Sequence, residues 1–136
     1  LTPPASSTQL PLNNIRQLLA SQQQKNHLSG ALHAAAFLNS DGQIMLLRED
    51  IGRHNAVDKL IGAAIKHKQN AEIAAMVITS RCGSELVQKA INFGVNTLVS
   101  FASPSAFAAN YASKHGLQLI HVNKSSELTY WQQQTN

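Results

Sequence analysis

REDIGRHNAVDKLIG, residues 48–62, gathers Arg48, Glu49, Asp50, Arg53, His54, Asn55, Asp58 and Lys59 into twelve residues of a chain that is 13% charged. The block lies between the apolar run IMLL and a helical apolar pattern, so it marks a strand-to-helix junction. Arg53 and His54 fall in the first helical turn. A cation there opposes the helix dipole. An anionic ligand reverses that balance, because free backbone N–H groups with a guanidinium and an imidazole make a phosphate site. Asp50 is placed to cap the helix, and Gly52 to let the chain turn. Lys59 either reaches the site or stays in solvent. The plainer reading is a solvated helix start, with Arg48 paired to Asp50 or Asp58 and His54 to Asp58 at i, i+4.

A second junction weighs against the plainer reading. TSRCGSE, residues 79–85, follows an apolar strand and opens another helix with Ser80, Arg81 and Ser84. Ligands of parallel α/β sheets bind beyond the carboxyl ends of the strands. Two Arg-bearing junctions on neighbouring parallel strands would face one anion crevice there. His33 stands where the chain enters the sheet and reads more readily as a satisfied core histidine than as a ligand. Cys82 lies at a helix start, where a thiol pKa can fall, yet a small buried residue is the favoured reading. His27, His67, His115 and His121 read as structural or solvated.

The chain carries no GxGxxG, Walker A, HExxH or GxSxG pattern. A zinc deaminase needs H-x-E and P-C-x-x-C. Here His33 is followed by Ala34 and Ala35, and Glu85 stands where the second cysteine belongs. One His and one Cys do not make a catalytic zinc site, so no zinc is expected.

The elements that hold these junctions follow from periodicity. Residues 1–11, rich in Pro and Ser, read as an arm or linker. Leu12, Ile15, Leu18 and Leu19 give a helix over 12–24. HAAAFLN (33–39) and QIMLLRE (43–49) form a hairpin about Ser40-Asp41-Gly42. A helix over 53–68, a strand over 73–80, a helix over 84–93, a strand over 97–102, a helix over 106–115 and a strand over 117–122 follow, with ELTYW (127–131) pairing back. Apolar strands alternating with helices predict one α/β domain. It would be a three-layer α/β/α sandwich with a mixed sheet and helices on both faces.

At 136 residues and 43% hydrophobic, the chain is the size of one globular domain. No apolar run approaches the ~20 residues of a membrane span. Its single cysteine excludes an internal disulfide and any CxxC pair within the sequence. The net charge of +4 favours anionic ligands. Nucleic acid is not expected, because 5% aromatics offers few stacking platforms and no binding signature is present. The first residue is Leu rather than Met, so the natural N-terminus is expected to lie elsewhere.

SGALHAA, REDIGRHNAVDKLIG, TSRCGSELVQKA and GLQLIHV, in this order, resemble the C-terminal domain of the formate dehydrogenase accessory protein (FdhD) family. The resemblance covers residues 12–131 and assigns residues 12–136 to that domain. It implies a cytidine-deaminase-like fold without zinc. It implies a sulfur carrier, which takes persulfide sulfur from a cysteine desulfurase and passes it to the molybdenum bis(guanine dinucleotide) cofactor for formate dehydrogenase. It also implies a cytoplasmic homodimer. The sulfur-carrying cysteine of that family lies in an upstream C-x-x-C loop, so this sequence is expected to be a piece of a longer protein, inactive alone in sulfur transfer. Cys82 stands where the family usually has Ala, and Gly83 where it has Ser.

With the junction reading, the resemblance gives a cofactor-binding set of His33, Arg48, Arg53, His54, Lys59, Ser80, Arg81, Val122, Asn123, Lys124, Ser125, Ser126 and Glu127. GDP would serve as a fragment of the cofactor. The family's C-terminal stretch is aromatic, with glycines flanked by arginines. Here Lys124 keeps one positive charge and Glu127 reverses the other. Two rival functions stay open: a non-catalytic dimerisation or interaction module, and a nucleoside deaminase-like hydrolase.

Overall fold

The computed structural model of the chain describes residues 10–25, 33–67 and 72–131. Helix α1 spans Ile15–Lys25, and strands β1 (His33–Leu38) and β2 (Ile44–Asp50) form the predicted hairpin. Gly42 sits in its turn at φ +78°, against Pro11. A Cβ there would come within 2.7 Å of the Pro11 carbonyl oxygen, which explains why glycine closes this hairpin. Then come α2 (Arg53–His67), β3 (Ala75–Ile78), α3 (Ser84–Phe93), β4 (Thr97–Ser100), α4 (Ala106–Lys114), β5 (Gln118–Val122) and β6 (Leu128–Trp131). The arm expected over 1–11 lies outside the described residues as far as residue 9; Leu12 already belongs to the core.

The six strands form one sheet in the order β2-β1-β3-β4-β5-β6. β3, β4 and β5 are parallel, while β1 and β6 run against their neighbours. β2 is antiparallel to β1 and therefore shares the direction of β3. The carboxyl ends of β2, β3, β4 and β5 thus lie along one edge.

One expectation is corrected here. The junctions holding Arg53 and Arg81 do not follow neighbouring strands, because antiparallel β1 is inserted between β2 and β3. At the usual strand spacing the two strands are roughly 10 Å apart. The local pattern contains both strands but not their order: a hairpin can pair with the next strand through either of its members.

Helices cover both faces, unequally. α2, α3 and α4 pack on the face of Ala35, Phe37, Met76, Ile78, Leu98 and Leu119. The other face, with Ala36, Leu38, Val77, Val99, Ile120 and Val122, packs against Leu12, Ile15 and Leu19 in and before α1. Both β-α-β crossovers after β3 place their helix on the same face, as right-handed connections between parallel strands in one direction require. Among the described residues no helix is long and apolar enough to cross a membrane.

Candidate anion site at the carboxyl edge

The β2–α2 junction is organised by Asp50. Its Oδ1 accepts hydrogen bonds from the Gly52 N–H at 2.9 Å and from Asn55 Nδ2 at 3.5 Å. Its Oδ2 pairs with Lys59 Nζ at 2.6 Å, and the same ammonium donates to the Glu49 carbonyl at 3.3 Å. The capping expectation is therefore modified: Asp50 holds the turn that enters the helix instead of the N–H groups of its first turn. Gly52 leaves room for Asn55: a Cβ there would stand 3.2 Å from Asn55 Nδ2, a tight contact that would press on the Asn55–Asp50 hydrogen bond.

The Lys59 ammonium, then the Gly52 N–H, hold the Asp50 carboxyl down at about 2, from an ordinary 3.8. The ionised form is favoured in the folded chain. Its stabilising contribution is thus complete above pH 3.8 and is lost as the pH falls from there through about 2. Both side chains are partly solvated, with 54% of Lys59 and 21% of Asp50 exposed, so the pair is screened. We expect carboxyl chemical shifts to show Asp50 ionised down to about pH 2, and to return toward 3.8 in Lys59→Met. An unchanged midpoint in that variant would mean that the turn, not the ion pair, sets it.

The pairings of the solvated-start reading do not form. Asp58 is bound by Lys89 of α3 at 2.8 Å, and Asp50 by Lys59. Arg48 donates from Nη1 to the Leu47 carbonyl at 2.8 Å. Arg53 and His54, half-buried on the first turn of α2, have no hydrogen-bond or ion-pair partner among the described residues. His33 is also half-buried, has no partner among the described residues, and sits opposite Asp50 in the hairpin register.

At the β3–α3 junction Thr79 extends the pairing with β1: its hydroxyl oxygen accepts from the Ala34 N–H at 2.9 Å. Ser80 is buried and donates to the Arg81 carbonyl at 3.3 Å. Arg81 is exposed and unpartnered among the described residues. Gly83, just before α3, supplies no side-chain cap, so the first N–H groups of the helix lack a capping side-chain acceptor beside Arg81. Open space surrounds the Cα of Gly83, so the Ser expected of the family would fit there and cap the helix. Cys82 is 2% exposed and faces the core, and burial pushes its thiol up to about 12. The helix start does not lower it, because desolvation dominates.

The β5–β6 turn is built by Asn123. Its Oδ1 accepts from the N–H groups of Ser125 and Glu127, and its Nδ2 donates to Glu127 Oε1 at 3.0 Å. Ser126 adopts φ 64° to close it. Lys124 is exposed, whereas the Val122 side chain is fully buried in the α1-facing core and only its backbone is near the edge. Glu127 is used inside the turn, so its charge is partly satisfied there.

The carboxyl edge thus carries His33, Arg48, Arg53, His54, Lys59, Ser80, Arg81 and the 122–127 turn, spread along it on four separate segments from β2 to β5. Two residues the sequence reading passed over belong to it. Ser100, fully buried at the end of β4, donates to the Ala102 carbonyl at 2.6 Å and shapes the β4–α4 turn. Arg16 of α1 donates from Nε to the Asn123 carbonyl at 2.8 Å. That contact spans 107 positions of sequence, and nothing in the local pattern of α1 announces it. Elsewhere, a groove of about 300 Å³ between α2 and α3 is lined by Ile61, Ile65, Lys89, Asn92 and Phe93. It lies toward the far ends of these helices from Arg53 and Arg81. Among the described residues no group of His, Cys, Asp and Glu could hold a metal ion.

Residues 2–136 match the FdhD/NarQ family. The chain belongs to that family. It is 36% identical over 134 residues to the sulfur carrier protein FdhD of Streptomyces coelicolor, covering 96% of this chain and 46% of that one. The FdhD of Bordetella parapertussis is 34% identical, covering 96% of this chain and 49% of its own length. The FdhD of Xanthomonas euvesicatoria is 41% identical over 105 residues, covering 77% of this chain and 35% of its own. The chain therefore spans about half the length, or less, of these curated relatives. Among solved structures, a crystal structure described as that of a formate dehydrogenase accessory protein from Desulfotalea psychrophila superposes with a TM-score of 0.75 at 25% identity. It covers 95% of this chain and 59% of that one. The mixed sheet and its helices are thus the fold of an FdhD-family domain.

Proposed function

We propose that this chain is the cofactor-binding part of a sulfur carrier that passes sulfur from a cysteine desulfurase to the molybdenum bis(guanine dinucleotide) cofactor, and so supports formate dehydrogenase. The observation that carries the reading is the unbalanced charge of the carboxyl edge. Asp50 and Asp58 are each paired with a lysine, while Arg53, His54 and Arg81 have no hydrogen-bond or ion-pair partner among the described residues. Unpaired guanidinium groups at two helix starts suit the phosphates of a guanine dinucleotide. Relatives named as sulfur carriers support the rest. The molybdenum cofactor is the cargo in this reading, and the chain contributes the groups that bind and orient its nucleotide ends. Cys82 does not carry sulfur; that thiol belongs to the C-x-x-C loop the family resemblance implies. A homodimer and a cytoplasmic setting go with the same reading.

GDP titration by calorimetry tests the site. Arg53→Ala and Arg81→Ala are each expected to weaken GDP binding about tenfold or more, the loss of one hydrogen bond to a charged group at about 1.5–3 kcal/mol. Melting temperature should stay nearly unchanged, since neither side chain is part of the core. A second reading, an interaction module, is favoured by Ile51 and Phe107, which are 80% and 68% exposed at the starts of α2 and α4. Unchanged GDP binding with a loss of several degrees in both arginine variants would sink the anion site and leave the interaction module.

A further inference from the structure

We propose that Arg16 forms a second anion subsite on the α1 side of the carboxyl edge, made for the phosphate groups of a nucleotide ligand. This rests on the reading of that edge as an anion site, and it extends the site to the opposite face of the sheet from α2 and α3.

Arg16 is half-buried, with its guanidinium 4.7 Å from the centre of the Phe101 ring. Nε donates to the Asn123 carbonyl at 2.8 Å and Nη2 to the Phe101 carbonyl at 3.3 Å. These carbonyls belong to the first residues after β5 and β4, so the guanidinium is held at the carboxyl edge. Its Nη1 has no partner among the described residues. A guanidinium offers five N–H donors, and these contacts leave part of that fork unused.

The charge also has no ion-pair partner among the described residues: no carboxylate pairs with Arg16, and the Glu127 carboxylate of the adjoining turn is oriented toward the Asn123 amide instead. Withdrawing a cation from water toward dipoles alone is unfavourable unless a counter-charge completes the site. Lys124 follows Asn123 directly and is exposed, adding a second cation beside the same turn. A guanidinium held over a ring, anchored by two carbonyls and with Nη1 left over, is preorganised to donate a charge-assisted hydrogen bond to a phosphate oxygen.

Pyrophosphate and GDP are the probes. In the wild-type chain the Arg16 side-chain N–H resonance should shift on adding pyrophosphate, which a purely structural tie would not show. Arg16→Gln keeps a donor toward Asn123 without the charge. It should bind pyrophosphate about tenfold more weakly with less dependence on salt, while Arg16→Lys, which keeps the charge, should lose less. Should neither variant fold, the wild-type spectrum alone decides. An unmoved Arg16 resonance, or pyrophosphate binding in Arg16→Gln equal to wild type, overturns the proposal. If Arg53→Ala and Arg81→Ala lose GDP in that case, the edge remains an anion site and Arg16 only ties α1 to two turns. If instead Arg16→Gln loses pyrophosphate while both other variants keep GDP, the subsite stands and the assignment of Arg53 and Arg81 fails.

Discussion

Native Cys82 should be alkylated by iodoacetamide at least about a thousandfold more slowly than the same thiol in the unfolded chain. The thiolate is the nucleophile, and burial raises the thiol from an ordinary 9.0 to about 12, which cuts the thiolate fraction near neutral pH by about that factor. Access cuts it further, because the residue is 2% exposed inside the core formed by α2, α3, α4 and the sheet. The same two facts argue against sulfur relay through this residue. Incubation with a cysteine desulfurase and cysteine should leave the intact mass without one added sulfur atom. Stoichiometric persulfide on Cys82, passed on to a molybdenum cofactor, would overturn both the burial argument and the assignment of the sulfur-bearing thiol elsewhere.

Phe37→Ala is expected to destabilise the fold by about 3–5 kcal/mol, the range for emptying a buried aromatic site. Phe37 has no exposed surface and lies on β1, which pairs with strands on both sides. Its ring stacks on Phe93 with centroids 4.8 Å apart, so two elements lose their contact at once. Set against the 5–15 kcal/mol that holds an ordinary domain together, this is a large share. Urea unfolding should show the midpoint falling with an unchanged slope. A loss under about 1 kcal/mol would mean that the α2–α3 layer collapses into the cavity more freely than its packing suggests.

The sequence made the elements legible because their signals are local. The apolar period of residues 84–93 predicts α3 at its observed bounds, and the hairpin about Ser40-Asp41-Gly42 appears where the turn residues stand. Strand ends were read a little long, as at 73–80 against Ala75–Ile78, where Ala74 and Thr79 still hydrogen-bond to Leu38 and Ala34 of β1 just beyond the regular strand. The two charged junctions were legible as charge concentrated where apolar periodicity changes. What stayed hidden is pairing across the chain. No local rule says that β1 slots between β2 and β3, that Lys89 rather than His54 takes Asp58, or that Arg16 reaches Asn123. Each depends on elements brought together by the sheet order, and on which of several cations is nearest once they are.

That sheet order also bears on how the chain assembles. Its flanks are two short-loop hairpins: β1–β2 closes through residues 39–43 and β5–β6 through 123–127. Their closure entropy is small, because the connecting loops are short. The parallel pairs β3–β4 and β4–β5 must wait for a whole helix to fold back between their strands. Non-local pairings of that kind slow folding. The strands of REDIGRHN and of the Asn123 turn therefore belong to the locally closing pieces at the two flanks. The middle of the sheet sets the distance between these two flanking turns, through residues that belong to neither turn.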